Sequence, residues 1–180
     1  SGIEDVMLTG EELLTDYSKV ELNRIIDTGA NFTVATIRTP ASVMESLSDI
    51  HLKLPIIAMD GAVLYDLKDN RYLKTYSMSY NKAQKIIEIL REEDVNFFIN
   101  VVVEDVLIIY YHHLENEAET QIYKQMRKSP HRNYVRRNLP EGEEVAYFMM
   151  VDQTEKIQKI YERLKVKIHS QEYKMLCYAS

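Results

Sequence analysis

Between Asn31 and Asp66 the chain reads NFTVATIRTPASVMESLSDIHLKLPIIAMDGAVLYD, an order of segments that leaves few folds open. NFTVAT has the composition of a buried strand, and Pro40 suits the first turn of a helix running to about Leu52. Pro55 opens PIIAM, an almost wholly apolar run expected of a strand covered on both faces. A strand, a helix and a second, parallel strand imply a right-handed crossover. VLYDLKDNRYLKTYSM then predicts a hairpin turning at Lys68-Asp69-Asn70. Thr36 and Arg38 fall where the first strand ends, and Asp60-Gly61 where the second ends. Open α/β sheets bind ligands outside the carboxyl ends of their strands, so these positions are candidates for a site.

Upstream, Thr15-Asp16 offers an N-cap to YSKVELNRIID, with Val20, Leu22, Ile25 and Ile26 as its apolar stripe and Gly29 as its stop. Ser18 followed by Glu21 is an alternative capping box. The second half has another rhythm. NKAQKIIEILREED predicts a helix with Ala83, Ile86, Ile87 and Leu90 on one side. NFFINVVV and VLIIYYHH predict strands joined at Glu104-Asp105, and ENEAETQIYKQMRKS a helix capped by Asn116 and Glu119. RNYVRRNL is a weak strand and VAYFMMV a stronger one. QTEKIQKIYERL is a helix starting near Asp152 and Glu155, and VKIHSQ with KMLCYA is expected to close as a strand pair. The change of rhythm places a boundary near residues 77–82, giving domains of 1–80 and 81–180.

With 180 residues, 46% hydrophobic and 28% charged, the composition is that of a globular chain. A formal charge of −6 argues against coating nucleic acid or an anionic membrane. No apolar run approaches the roughly 20 residues that span a bilayer, and no signal-peptide pattern is read at the start. The single cysteine, Cys177, excludes an internal disulfide and a cysteine metal cluster, and a reducing, cytoplasmic setting is expected.

VATIRTP followed about twenty residues later by LPIIAMDGAVLYD resembles the haloacid dehalogenase superfamily, in its Cof-type, sugar-phosphatase-like branch. That branch has a strand ending in Ala-Thr-Gly-Arg, a helix, and then Leu-Pro, Asn-Gly-Ala and Tyr-Asp. The resemblance implies an α/β fold, a partial Rossmann-like core carrying an inserted α+β cap. It also implies a hydrolase related to Mg²⁺-dependent phosphatases of small phosphorylated metabolites. Phosphoryl transfer there uses an aspartate nucleophile, a second aspartate two residues on as acid/base, Mg²⁺, and a threonine that bonds the phosphoryl group. Thr36 takes that threonine's place, with Arg38 beside it as a second phosphate-binding candidate and Asp60-Gly61 on the substrate-side loop.

The chain departs from the pattern at the reactive positions. Counted back from the first helix, the Asp-x-Asp-Gly-Thr-Leu-Leu signature falls on Gly2-Ile3-Glu4-Asp5-Val6-Met7-Leu8. Gly2 then stands at the nucleophile and Glu4 at the acid/base. A second register, on Leu8-Thr9-Gly10, has a carboxylate in neither role, and Asp5 rescues neither. The lysine and metal-binding acidic pair of the family have no counterpart after KMLCYAS. No catalytic residue and no metal ligand is therefore assigned, and Mg²⁺, implied by the family, is doubtful for this chain. Whether the chain acts as an enzyme stays open. It reads as a hydrolase incomplete or inactive as given, or as a non-catalytic binding or regulatory protein on the same fold. A fragment, a degenerate paralogue and a chain represented without some segments are the three explanations. Self-association, or a further segment completing the core, follows from a half-core that would bury too little apolar surface.

Each candidate also has a bland reading. Thr36 can be a β-branched residue forming a local turn, Arg38 a solvated approach to the helix, and Asp60-Gly61 a plain turn pair. Ile37 stands where the family has glycine, narrowing any phosphate cradle. His112 and His113, as strand neighbours, cannot both face one metal. His131, Arg132, Arg136 and Arg137 read as a solvated basic face.

Overall fold

Thr15 caps the first helix, its Oγ1 accepting the Ser18 N–H at 3.1 Å, in the computed structural model, which describes residue 2, residues 14–168 and residues 174–178. That helix, α1 (Asp16–Asp27), ends in a Schellman motif. Gly29, at φ 101°, donates to Ile26 O, and Ala30 donates to Ile25 O. The expected apolar stripe is only partly used. Ile26 is buried, whereas Val20 and Ile25 are exposed.

The chain divides into two compact units, Ser1–Tyr76 and Ser77–Ser180. In the first, the segment NFTVAT holds a parallel pairing without becoming a full strand. Ala35 bridges Gly2 on one side and Ile57 on the other, both in parallel. Its bonds are Thr36 N to Ile57 O, 2.9 Å, and Ile57 N to Val34 O, 3.0 Å. Helix α2 (Pro40–Leu47) stops five residues before the expected end. Ser48 turns its hydroxyl back onto Glu45 O, and Ile50 N closes a turn onto Leu47 O, burying Ile50.

Strand β1 (Ile56–Ala58) pairs antiparallel with β2 (Val63–Asp66), and β2 with β3 (Arg71–Thr75). The hairpin turns through residues 67–70, where Asp66 Oδ1 accepts the Lys68 N–H and Asn70 takes φ 54°. β1 is not covered on both faces as its composition implies. Ile56 and Ala58 are buried, but Ile57 is 41% exposed. The core of this unit is Ile26, Val34, Val43, Leu47, Ile56, Val63 and Tyr65.

The second unit is a four-stranded sheet in the order β6-β5-β4-β7. β4 (Phe98–Val103) and β5 (Val106–Tyr111) form a hairpin around Glu104, at φ 46°. β7 (Tyr147–Met149) joins β4 antiparallel, and β6 (Arg132–Arg136) joins β5 in parallel at the edge. Strand alternation sends Ile99, Val101 and Tyr110 into one core with α3 (Tyr80–Glu92) and α5 (Thr154–Lys167). Ala83, Ile86, Ile87 and Leu90 supply the α3 stripe, and Ile160 and Leu164 the α5 stripe. The other face gathers Phe98, Tyr111 and Tyr134 against Tyr123 of α4 (Glu117–Met126). Burial there pushes the Tyr134 phenol up to about 12.

The Asn116–Glu119 capping box is present in full. Asn116 Oδ1 accepts the Glu119 N–H at 2.8 Å, and the buried Glu119 carboxylate also takes the Asn96 amide at 2.8 Å. The final strand pair is not formed where it is described. Val166 and Lys167 continue α5, and residues 174–178 carry no strand. The rest of that pair lies outside the described residues. Helix wins at Val166–Lys167 because Lys167 reaches Glu93 at 2.6 Å from the last turn of α5.

Leu90 is almost fully buried between helix and sheet. Leu90→Ala should destabilise this unit by about 2–5 kcal/mol in urea unfolding, the cost of a cavity in a core that relaxes only partly. A pH effect comes from Glu93, which accepts from Lys167 and, at 3.0 Å, from Arg163. Lys167 first and Arg163 second hold its carboxyl below the ordinary 4.5. A carboxylate depressed on folding stabilises fully above its unfolded value and loses that contribution as pH falls through the folded one. Glu93→Gln should therefore lower the thermal midpoint at neutral pH, with the gap to the native chain closing below about pH 4.5.

Candidate functional site

The loops after the Ala35 segment and after β1 lie side by side because the two segments pair in parallel. Backbone bonds then lace them together. Met59 N donates to Arg38 O at 2.9 Å, and Asp60 N donates to Thr36 O at 3.3 Å. Thr36 is 5% exposed, and its Oγ1 accepts the Arg38 N–H at 3.1 Å. This is the local hydroxyl turn foreseen as its bland reading, and it fixes Thr36 at the strand's carboxyl end. Arg38 is half-buried and Ile37 is 39% exposed. Thr39 caps α2 from a buried position, its hydroxyl 2.9 Å from that of Ser42.

Sequence reasoning placed a turn at Asp60-Gly61 and missed its conformation. Met59, Asp60 and Gly61 take φ of 54°, 56° and 88°, a run of left-handed residues at the end of β1. Left-handed backbone costs a non-glycine residue about 1 kcal/mol or more. Here the bonds from Met59 and Asp60 to the neighbouring loop, with Ala62 N onto Met59 O, hold it in place. Met59 itself is buried, so the turn is anchored by its side chain as well. Asp60 and Gly61 are exposed at the rim. A period-based reading carries no signal for Met59, since only Asp-Gly advertises the turn.

Gly2, paired opposite Ala35, lies one register step from Thr36. A Cβ built on Gly2 meets no atom within 4 Å. Glu4, Asp5 and the alternative Leu8-Thr9-Gly10 register lie outside the described residues. Among the described residues no group of three or more His, Cys, Asp or Glu side chains could hold a metal. Asp60 is the one acidic residue in the loops 36–39 and 59–62, too few for Mg²⁺, which needs an octahedron of oxygens. The described residues do not fit the metal that the family uses, and no chemical step is drawn through it.

The remaining candidates fall in the second unit. His112 points its ring toward Arg91, with 3.4 Å between Nε2 and the guanidinium, and Arg136 Nε donates to the His112 carbonyl at 2.7 Å. The basic run is not one solvated face. Arg136 and Arg137 are exposed, but Arg132 is buried, its guanidinium 3.0 Å from Met126 sulfur. Its place on β6 opposite Leu107 turns it into the α4 side of the sheet.

A core sheet with a mixed α/β unit following it, and polar loops at the strand ends, is the architecture of a capped hydrolase. The chain belongs to the haloacid dehalogenase-like hydrolase family, whose model matches residues 4–175. Its fold is mixed α/β, like that of Cof-type haloacid dehalogenase-like hydrolases, which have a core and a cap. A haloacid dehalogenase-like hydrolase from Bacteroides thetaiotaomicron superposes with a TM-score of 0.69 at 11% identity, over 93% of this chain and 62% of that one. A second, from B. subtilis, gives 0.66 at 15% identity over 91% and 65%. In sequence, a Mycoplasma pneumoniae protein named "Putative phosphatase" is 33% identical over 72 residues, covering 38% of this chain and 25% of that protein. The chain thus spans a quarter of that relative and less than two thirds of both solved structures.

Gly61 tests how much the rim depends on its backbone. Gly61→Ala adds a methyl that meets nothing within 4 Å, so any cost is conformational. At φ 88° it should lower stability by about 1 kcal/mol in chemical unfolding.

Proposed function

We propose that this chain is a relative of the Mg²⁺-dependent phosphatases of small phosphorylated metabolites that holds a phosphate group without turning it over. The observation that carries this reading is the pairing of Gly2 with Ala35. It sets a residue with no side chain next to Thr36, where the family's signature would put the attacking carboxylate. Thr36 bonds the phosphoryl oxygens through its hydroxyl, Arg38 supplies the cationic fork, and Asp60-Gly61 forms the substrate-side rim. Ile37, where the family has glycine, keeps the backbone from closing on the ligand.

In this reading residues 1–80 are the core portion and 81–180 the cap. The name of the Mycoplasma pneumoniae relative supports a phosphorylated ligand. So does the negative charge, which disfavours polyanionic partners. Among the described residues no helix is long and apolar enough to cross a membrane. A cytoplasmic setting remains the reading from the single cysteine.

The chain should show no turnover of p-nitrophenyl phosphate with Mg²⁺. It should bind a small phosphate ester weakly in calorimetry, with Thr36→Val lowering the affinity several-fold, as expected for one lost hydrogen bond to a charged group. Turnover above background that disappears in Thr36→Val would overturn the inactive reading.

A further inference from the structure

A polar cavity lies wholly within the unit Ser77–Ser180, between α3 and the loop after β6. Its volume is about 220 Å³. Gln84, Ile87 and Arg91 line it from successive turns of α3, His112 from the end of β5, and Asn138 and Leu139 from the opposite side. The buried Ile87 and Leu139 give it an apolar floor. The rim is polar and centred on one guanidinium.

Arg91, itself exposed, is held over this cavity by an amide and an imidazole. Its Nη2 donates to Asn138 Oδ1 at 3.3 Å and lies 3.4 Å from His112 Nε2. Both contacts are at the long end for hydrogen bonds. Among the described residues no carboxylate pairs with Arg91. The nearby cations of α5 behave differently: Arg163 and Lys167 are taken up by Glu92 and Glu93. A planar fork with long contacts to an amide and an imidazole, set above an apolar floor, matches a planar two-oxygen anion with a compact apolar body.

We propose that this cavity is a binding site for a small monocarboxylate whose apolar body is a single ring or a short branched chain. Arg91 anchors the carboxylate, Asn138 and His112 flank it, and Ile87 and Leu139 receive the body. One guanidinium balances a single negative charge, which favours a carboxylate over a phosphate dianion. Arg136, the next cation, spends its Nε on the His112 carbonyl. Nothing in this site involves Thr36, so it stands apart from the phosphate reading.

The test is an amide-resolved NMR titration of the full chain with sodium benzoate, benzamide and inorganic phosphate. Benzoate should give saturable shifts confined to α3 around Gln84–Arg91, to His112 and to Asn138–Leu139. Arg91→Gln should weaken binding at least tenfold, and so should replacing benzoate by the uncharged benzamide. Thr36→Val should leave benzoate binding unchanged, so loss of the phosphate site and loss of this one are read separately. If Arg91→Gln loses its dispersed spectrum, Asn138→Ala and the benzamide comparison decide between binding and no binding. No saturable benzoate shift up to about 10 mM, equal binding by Arg91→Gln, or displacement of benzoate by phosphate would each overturn the proposal.

Discussion

The candidate phosphate site depends on a short piece of parallel pairing, two hydrogen bonds long. Thr36 N on Ile57 O and Ile57 N on Val34 O fix the register between the Ala35 segment and β1. A shift of one residue would turn every side chain to the opposite face, taking Thr36 from its buried position and Ile56 out of the core. With the register fixed, the two following loops meet. The bonds from Met59 and Asp60 to the carbonyls of Arg38 and Thr36 then become available. The left-handed run at Met59–Gly61 follows from that meeting, because the Met59 and Asp60 N–H groups it redirects find partners across the gap.

Much of this was legible because its signals are local. Thr15, Gly29, Pro40, the Lys68-Asp69-Asn70 turn and the Asn116–Glu119 box each act within a few residues, and each element starts or stops beside them. The α3 stripe is as plain, since its apolar spacing and its buried face coincide. What sequence could not deliver depended on partners far along the chain. α2 ends at Leu47 because Ser48 and Ile50 fold back, a competition that periodicity does not weigh. The exposed Ile57 shows that a fully apolar run does not by itself ensure two covered faces. Val166–Lys167 kept the helix because Glu93, seventy-odd positions earlier, rewards a lysine in that last turn.

The candidate site divides in the same way. Thr36 and Asp60-Gly61 could be located from strand ends and turn chemistry, and Thr36, Arg38 and the rim do come together through the laced loops. The buried Arg132 and the cavity at Arg91 could not be found that way. Arg132 sits in a run that looks uniformly basic, and only strand alternation on β6 separates it from Arg136 and Arg137. Arg91 lies on the border of the α3 stripe, among charges that resemble any solvated helix face. Its surroundings come from β5 and the loop after β6, which no spacing on α3 reveals.

Charge explains why the two units pose different chemical problems. In the first, an anion at Thr36 would meet Arg38 but also Asp60 at the rim, so binding there rests on hydrogen bonds and on a cation to offset the carboxylate. The family fills that need with a metal and several carboxylates, and the described loops offer one acidic residue. In the second, the ion pairs of α3 and α5 are spent on joining the helices: Glu92 and Glu93 are consumed by Lys167 and Arg163. Arg91, just before them in sequence, lines the cavity and meets an amide and an imidazole. An amide and an imidazole hold the exposed guanidinium in place beside the cavity, with no carboxylate among the described residues pairing with it. Within an acidic chain, Arg91 thus keeps a local positive charge at the edge of this cavity.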